Sequence, residues 1–411
     1  MKKVAIALSL MLLLSACGAP SSSTGTPDSE KQSQSPQGST QPINPSETAP
    51  AASSTDQAQA SARVITELRA PKGNEIPYEH GSTEDFEYDI YRCGVEVRKY
   101  IGDEDITELV IPSEIEGIPV VSVIWCCSLP SIERIILPDN LYGIRVDAFR
   151  GCENLTEINI PDTITIIGQS SFQGCKSLES INLPEGLEEI QSFAFSNTGL
   201  REVNIPASVN EIGESIFFYC ERLEFANFFN DITLIPESMF DDCESLVSIH
   251  GIDNVEEIGK AAFFGCDSLT EFDFPPNLKK IGEEAFSLCN GLTSLYIPDT
   301  VEYIGPKAFY RCTSLANINI PTSLSSIEDW TFFECTSLTF MHIPGNVKKI
   351  GEEAFGNCME LNQVTIDEGL EEIGSAAFAA GHGCVGLTIS LPNSIKKIST
   401  PFRNDTLEYF P

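Results

Sequence analysis

A 23-residue pattern recurs through most of this 411-residue chain and constrains its fold more than any other feature. Residues 292–314 read LTSLYIPDTVEYIGPKAFYRCTS, which fits L-x-x-I-x-I-P-x-x-V-x-x-I-G-x-x-A-F-x-x-C-x-x. The spacing is 23 residues, with one early step of 22 and slightly longer steps at the end. A fixed period of this length, sustained over many copies, is typical of a solenoid in which each repeat stacks on its neighbours.

Two apolar columns run through the repeats, and we expect both to lie in the interior. The isoleucine column comprises Ile144, Ile167, Ile190, Ile212, Ile235, Ile258, Ile281, Ile304, Ile327, Ile350, Ile373 and Ile398. The phenylalanine column comprises Phe149, Phe172, Phe195, Phe217, Phe240, Phe263, Phe286, Phe309, Phe332, Phe355 and Phe378, with Phe402 as a twelfth member.

Each repeat predicts a short strand followed by a return of the chain. In L-x-x-I-x-I-P the apolar residues alternate with polar ones, so Ile and Leu face inward, and proline ends the strand. The glycine after Ile marks a position that needs either a positive φ or a close backbone approach. A-F-x-x-C suggests a helical or 3₁₀ turn that buries Phe and Cys. The sequence therefore predicts a mainly β solenoid with short helical or 3₁₀ turns and a parallel β-sheet along one face.

The N-terminus carries the signals of export. Lys2 and Lys3 precede an apolar stretch at 4–14 that is too short for an ordinary membrane span, so residues 1–16 are interpreted as a signal peptide. Residues 14–17, LSAC, fit the pattern at which a signal is cleaved and the thiol of Cys17 is lipidated. The alternative is a plain secretory signal followed by an unrelated cysteine. Lipidation would place several acyl chains on Cys17 and hold the protein at the membrane.

The rest of the chain divides by composition and periodicity. Residues 17–62 hold the lipidated Cys17 and a Ser/Thr/Pro/Gln-rich linker with almost no large apolar residue, which predicts disorder. Residues 63–105 form an N-terminal capping region, with a hairpin predicted from alternation at 86–91 and 95–100. The repeats cover 106–398, and 399–411 is a partial repeat.

The chain is strongly acidic, with 60 Asp and Glu against 25 Lys and Arg and a formal net charge of −35. This charge argues against nucleic acid as a partner and against adsorption to anionic lipid. The acidic residues recur in L-E-E-I and G-E-E-A-F blocks that face solvent. A solvated face that keeps a long rod soluble explains them, and a surface for divalent cations or a basic partner is the alternative.

Nine cysteines occupy one column of the repeat: Cys152, Cys175, Cys220, Cys243, Cys266, Cys289, Cys312, Cys335 and Cys358. Side chains stacked in register lie about 4.8 Å apart, whereas a disulfide needs Cβ atoms about 3.8 Å apart. The column is therefore interpreted as buried thiols that act as small apolar groups. A metal-binding thiolate ladder and disulfides between neighbours, Cys126 and Cys127 included, are the alternatives.

No motif in the sequence carries catalysis. The four histidines, His80, His250, His342 and His382, lie far apart, and His382 beside Cys384 is too sparse for a zinc site. Nucleophile-elbow, zinc-protease, phosphate-loop, dinucleotide-binding and EF-hand spacings do not occur in the sequence. The chain is accordingly not predicted to be an enzyme, and neither a cofactor nor a metal site is assigned.

The outward strand positions remain as the candidate binding surface. Phe225, Tyr296 and Phe340 are aromatic residues at positions that point away from the core. The candidate partner-binding face comprises Tyr296, Phe340, His342, Phe225, His250, Asn317 and Asn319. The alternative is ordinary surface variation in which asparagine side chains bond along the stack.

The repeat pattern resembles the BspA-like leucine-rich repeat of bacterial surface proteins over about residues 106–398, and residues 86–128 resemble that family's entry segment. The resemblance implies a leucine-rich-repeat solenoid that is surface-exposed and non-enzymatic, in a family whose relatives act as adhesins for host matrix proteins or other cells. We therefore expect a bacterial, extracytoplasmic, lipid-anchored surface protein that binds a protein or glycan partner. A structural spacer without a specific ligand, and a metal-binding or enzymatic lipoprotein, are the alternatives.

Overall fold

The computed structural model describes residues 67–126, 129–379 and 387–400, and these form a stack of coils built on the 23-residue repeat. Residues 1–66, 127–128, 380–386 and 401–411 lie outside the description. The expectations for the signal peptide, Cys17, the linker, Cys127, His382, Cys384 and Phe402 therefore fall outside it too. Among the described residues, no helix is long and apolar enough to cross a membrane.

The first coils are covered by an antiparallel cap. Strands β1 (Glu79–Ser82), β2 (Phe86–Tyr91) and β3 (Gly94–Tyr100) pair in order, which confirms the predicted hairpin and adds β1 to it. Strand β3 then pairs in parallel with β6 (Ile118–Val123), while β5 (Glu114–Ile115) pairs antiparallel with β6. The cap thus supplies backbone partners to the first edge of the stack, which would otherwise be open.

Each L-x-x-I-x-I-P segment lies along one side of the stack, and eleven of these segments contain an assigned strand, named here the face strands. They are β4 (Glu108–Val110), β7 (Arg134–Ile136), β9 (Glu157–Ile158), β12 (Glu202–Ile205), β14 (Phe225–Phe228), β16 (Ser248–His250), β19 (Ser294–Leu295), β21 (Asn317–Ile318), β23 (Phe340–Ile343), β25 (Gln363–Ile366) and β27 (Thr388–Ser390). They pair in parallel, as predicted, within four short sheets: β4-β7-β9, β12-β14-β16, β19-β21 and β23-β25-β27.

A second parallel ladder, not predicted from the sequence, runs through the isoleucine column. Its two-residue members, named the return strands, are β8 (Gly143–Ile144), β10 (Ile166–Ile167), β11 (Glu189–Ile190), β13 (Glu211–Ile212), β15 (Leu234–Ile235), β17 (Glu257–Ile258), β18 (Lys280–Ile281), β20 (Tyr303–Ile304), β22 (Ser326–Ile327), β24 (Lys349–Ile350), β26 (Glu372–Ile373) and β28 (Lys397–Ile398). Its strands belong to three sheets, and within each sheet the Ile residues of neighbouring coils stand opposite each other, as Ile281 does opposite Ile304.

The A-F-x-x-C segment forms a corner of tight turns, and no helical or 3₁₀ geometry is assigned in its described residues. Around Phe286, the residues two positions before and after it, Glu284 and Leu288, have φ of 57° and 61°. The amides of Glu284, Phe286 and Leu288 donate to carbonyls of the next coil at 3.0, 2.8 and 2.8 Å. Because alternate amides bond to the neighbouring coil, they are not available for a helix.

The glycine that follows the isoleucine column is explained by close backbone approach. A Cβ atom on Gly282 would lie 2.6 Å from the carbonyl carbon of Gly259 in the preceding coil, and Gly282 does not have a positive φ. Of the two alternatives open from the sequence, the close approach is therefore confirmed at this position.

The two predicted columns form the core. Every ring from Phe149 to Phe378 in the phenylalanine column is buried, and the rings of Phe309 and Phe332 stack at 5.5 Å with 2° between their planes. The isoleucine column is buried with two exceptions: Ile212 is half-buried, and Ile398 in the last described coil is 39% exposed. The interior is therefore one continuous apolar stack along the repeats.

The cysteine column lies beside the phenylalanine rings as buried free thiols, as predicted. Cys126 is also free, so disulfides between neighbours do not occur among the described cysteines. Burial raises the pKa of the Cys220 thiol to about 11, with hydrogen bonds to Thr198 acting in the opposite direction. Such thiols remain protonated and unreactive while they are buried in the folded protein.

Candidate recognition face

The aromatic residues predicted to point outward are exposed on the side of the face strands. Tyr296, directly after β19, is 70% exposed, and Phe340 in β23 is 46% exposed. Their neighbours Leu295 and Met341 are buried. Strand alternation therefore produces this arrangement, because successive side chains point to opposite faces. Phe225 in β14 is exposed in the same way.

The two histidines of the candidate face contact polar side chains on it. His342 stands opposite Thr365 in the parallel register, with its Nδ1 atom 3.0 Å from Thr365 Oγ1. Its Nε2 atom lies 3.4 Å from a carboxylate oxygen of Asp367. The Nε2 atom of His250 lies 3.2 Å from Ser248 Oγ. Both rings are exposed and are held by side chains of the same surface.

The asparagines on the side of the face strands differ in their hydrogen-bond partners. Asn319 is half-buried, accepts from the Ile297 amide at 2.7 Å and donates to the Ile297 carbonyl at 2.8 Å. Asn159 binds the backbone of Leu137 in the same way. Asn227 donates to Asn204 Oδ1 at 2.9 Å. Asparagine bonding along the stack, the alternative that the sequence left open, therefore occurs at these positions.

Asn317 is more accessible than Asn319. It is exposed in β21, opposite Ser294 of β19. The structure thus brings Asn317, Ser294 and Tyr296 onto adjacent coils of one surface. Phe340 and His342 lie on the next face strand, in the sheet β23-β25-β27, and Phe225 and His250 lie in the sheet β12-β14-β16. The candidate residues are therefore divided among three sheets on the same side of the stack.

A cavity beside Tyr296 was not predicted from the sequence. It has a volume of about 480 Å³ and is lined by Glu271, Phe272, Asp273, Phe274, Ser294, Leu295 and Tyr296. It lies where the segment 270–274 is not assigned as a strand, between the sheets that end at β16 and begin at β19. The unusual FDFPP run at 272–276 is the sequence signal that could have indicated this interruption.

The basic residues along the stack are mostly paired with carboxylates, many of them on a neighbouring coil. Lys279 binds Glu256 at 2.7 Å, and Lys307 binds Glu284 at 2.8 Å, so hydrogen bonding to that carboxylate raises the pKa of the Lys307 ammonium. Glu271 and Asp273 have no ion-pair or hydrogen-bond partner within the described ranges. The rim of the Tyr296 cavity is therefore a place where negative charge is not neutralised.

The described residues contain no group of three or more His, Cys, Asp and Glu side chains able to hold a metal ion. The strongest buried polar cluster belongs to the cap. There Glu96 accepts from Arg145 at 3.0 Å and from Ser122 Oγ at 2.8 Å. Burial raises the pKa of Glu96, while Arg145 and Ser122 lower it. This cluster joins the cap to the first regular coils, and we interpret its role as structural.

Stacked coils with a parallel strand on one side, a column of buried cysteines and an antiparallel cap define a leucine-rich-repeat solenoid. The family model described as "BspA type Leucine rich repeat region (6 copies)" matches residues 99–224, 218–339 and 280–408, which together span more than half of the chain. The chain belongs to this BspA-type leucine-rich-repeat family.

Solved structures support the same assignment. A leucine-rich repeat protein from Bacteroides ovatus is 30% identical, with a TM-score of 0.66 over 77% of this chain and 90% of that one. One from Eubacterium ventriosum is 20% identical, with a TM-score of 0.51 over 80% and 95%. The pneumococcal vaccine antigen PcpA is 19% identical, with a TM-score of 0.50 over 79% and 89%. The latter two show the fold alone. No curated protein matches the chain in sequence.

Proposed function

We propose that this protein is a lipid-anchored bacterial surface protein that binds a protein or glycan partner, in the manner of an adhesin, through its face strands. The observation that carries the proposal is the exposure of Tyr296 beside an open cavity, with Phe340 and His342 on the same side of the stack. Family membership and the LSAC sequence at residues 14–17 support the surface location and the anchor.

The physical case rests on rigidity and on the type of side chain. Each face strand is held by backbone pairing to at least one neighbouring face strand, so the surface needs little ordering when a partner binds. Aromatic residues are enriched among the side chains that dominate binding energy. A large apolar ring held in water on a strand contributes little to the fold, whereas burial under a partner recovers its hydrophobic free energy.

Membrane attachment is tested by replacing Cys17 with Ser in the full-length chain expressed in bacteria. Lipidation requires the thiol, so we expect the variant to keep an uncleaved signal or to be released from the membrane in processed form. Fractionation with mass analysis of the N-terminus distinguishes these outcomes from wild type. Processed C17S protein that stays in the membrane fraction would show that another element anchors the chain.

Binding is tested with the full-length chain against a panel of immobilised matrix proteins, glycans and whole cells. We expect saturable binding to at least one member of the panel. Binding that is absent throughout the panel while the protein is folded would instead support a surface spacer. Each positive ligand is then measured against Tyr296 and Phe340 variants.

A further inference from the structure

We infer that the cavity beside Tyr296 receives the Lys or Arg side chains of a basic segment on a partner protein. The inference rests on the proposed function and narrows it, because it commits the partner to a protein and to a positively charged part of that protein. Three properties of the cavity carry it: a floor fixed in the core, an exposed ring and two exposed carboxylates without ion-pair partners among the described residues.

The floor of the cavity is formed by a segment whose aromatic side chains are fixed in the core. Phe272 is buried, and its ring lies 5.2 Å from Phe263 and 5.0 Å from Phe286, both in the phenylalanine column. Phe274 is half-buried and packs edge-on against Phe286 at 5.5 Å. Because the floor is part of the core stack, the cavity keeps its shape before a partner arrives.

The rim of the cavity is negative and exposed. Glu271 and Asp273 are exposed, alternate along one segment and therefore project to the same side. Nearby carboxylates are neutralised by the next coil, as Glu256 is by Lys279 and Glu257 is by Lys280. The two rim carboxylates have no such partner in the part of the chain that the structure describes. A cation supplied from outside would form with them the kind of ion pair that Glu256 and Glu257 form within the stack.

Tyr296 adds a second preference for a cation. Its ring is the most exposed aromatic side chain on the face, and an aromatic ring attracts Lys or Arg cations to its face. The long aliphatic stem of Lys or Arg can cover the half-buried Phe274 while its charged end remains at the rim. Neither an acidic peptide nor an anionic glycan fits, because both would approach unpaired carboxylates on a chain of net charge −35.

The test uses fluorescence anisotropy of the full-length chain with a labelled peptide of alternating lysine and serine. A peptide with norleucine in place of lysine, which has the stem without the charge, is the peptide control. Glu271→Gln with Asp273→Asn removes both rim charges, and we expect it to weaken binding about fivefold, since each exposed ion pair contributes up to about 1 kcal/mol. Tyr296→Ser should weaken binding about threefold, and Tyr296→Phe should retain it, because the ring and not the hydroxyl holds the cation.

The matched control is Glu185→Gln with Glu302→Gln, which removes two exposed charges away from the cavity. The inference holds if this pair changes affinity by less than half as much as the rim pair and if the norleucine peptide does not bind. Equal weakening by both pairs would mean general attraction to an acidic protein and would overturn it. A panel ligand that needs Tyr296 but binds the rim variant as tightly as wild type would overturn this inference while leaving the proposed function intact. A neutral glycan bound in that way would be one such case.

Discussion

The Sγ atom of Cys289 lies 3.0 Å from the carbonyl oxygen of Phe263, which belongs to the preceding coil. The same oxygen accepts the amide of Cys266 within its own coil at 3.3 Å. One carbonyl therefore joins a turn in one coil to a side chain of the next. This bond repeats for eight cysteines: Cys175, Cys220, Cys243, Cys266, Cys289, Cys312, Cys335 and Cys358.

Replacing Cys289 with Ala should destabilise the protein by about 1–2 kcal/mol, because it removes a buried donor and leaves a small void. Cys289→Thr should cost less, since the chain itself places Thr198 in this column, where the buried hydroxyl donates to the carbonyl of Phe195 in its own coil at 2.8 Å. Denaturant unfolding measures both. A threonine variant less stable than the alanine variant would show that packing, and not the hydrogen-bond donor, determines which residue this position tolerates.

Phe286→Ala should cost about 3–5 kcal/mol, as truncation of a fully buried aromatic residue does. The ring stacks between Phe263 at 5.1 Å and Phe309 at 5.6 Å, so the effect should be strongest in those coils. Hydrogen exchange mapped by coil measures this spread. Phe340→Ala is the matched control on the exposed face and should cost less than about 1 kcal/mol. Equal costs for the two changes would contradict the assignment of interior and exterior.

Arg145→Met should destabilise the cap by about 3 kcal/mol, because it leaves Glu96 buried without its charged partner. Adding Glu96→Gln should restore much of that loss, since the remaining side chain is neutral and can still bond to Ser122. A double-mutant cycle in denaturant gives the coupling. Additive single effects would show that the two residues do not act as a pair.

Stability should fall as the pH rises from about 4 to about 7, owing to Asp241. Burial raises its pKa from 3.8 to about 7, with Asp242 and Glu284 adding to the rise and the hydroxyl of Ser238, 3.0 Å away, opposing it. The folded state then binds a proton that the unfolded chain has released, so protonation stabilises the fold over this range. Asp241→Asn should remove this slope and stabilise the protein at pH 8 by about 2 kcal/mol, half the value of the full shift because the carboxyl is partly solvated.

Thermal or denaturant unfolding at several pH values measures the slope for wild type and for Asp241→Asn. Glu302→Gln, at an exposed position, is the control for general charge reduction. A wild-type slope that persists in Asp241→Asn would assign the pH dependence to other carboxylates.

The periodic features were predictable because they repeat. Phe286 and Ile281 recur at the same spacing as their equivalents in every regular coil, and the interior is the only place where so many identical apolar positions can be satisfied together. The alternation at 86–91 and 95–100 likewise indicated the cap hairpin, which β2 and β3 form. Residues that are buried at equivalent positions of successive coils are therefore recognisable in the sequence as a periodic apolar pattern.

Other structural features do not produce a periodic pattern that could be recognised in the sequence. A return strand such as Lys280–Ile281 has two residues, too few for alternation to be recognised. At the corner, Lys307 and Trp330 take φ of 56° and 60°, although neither residue type favours the left-handed region. Hydrogen bonds to the next coil hold these residues there, so the conformation depends on stacking. The cavity beside Tyr296 depends on a segment that does not pair as a strand, and the FDFPP run at 272–276 indicates that interruption but not the cavity that results from it.

The most direct test of the account replaces Tyr296 and Phe340 together with Ser and measures binding to the panel ligand alongside the melting temperature. Phe229→Ser removes an exposed ring outside the face strands and is the matched control. We predict an almost unchanged melting temperature for both proteins and a loss of about 2 kcal/mol or more of binding free energy only in the double variant. Normal binding by a correctly folded double variant would contradict the account and would move the site elsewhere, first to the irregular region at 223–252.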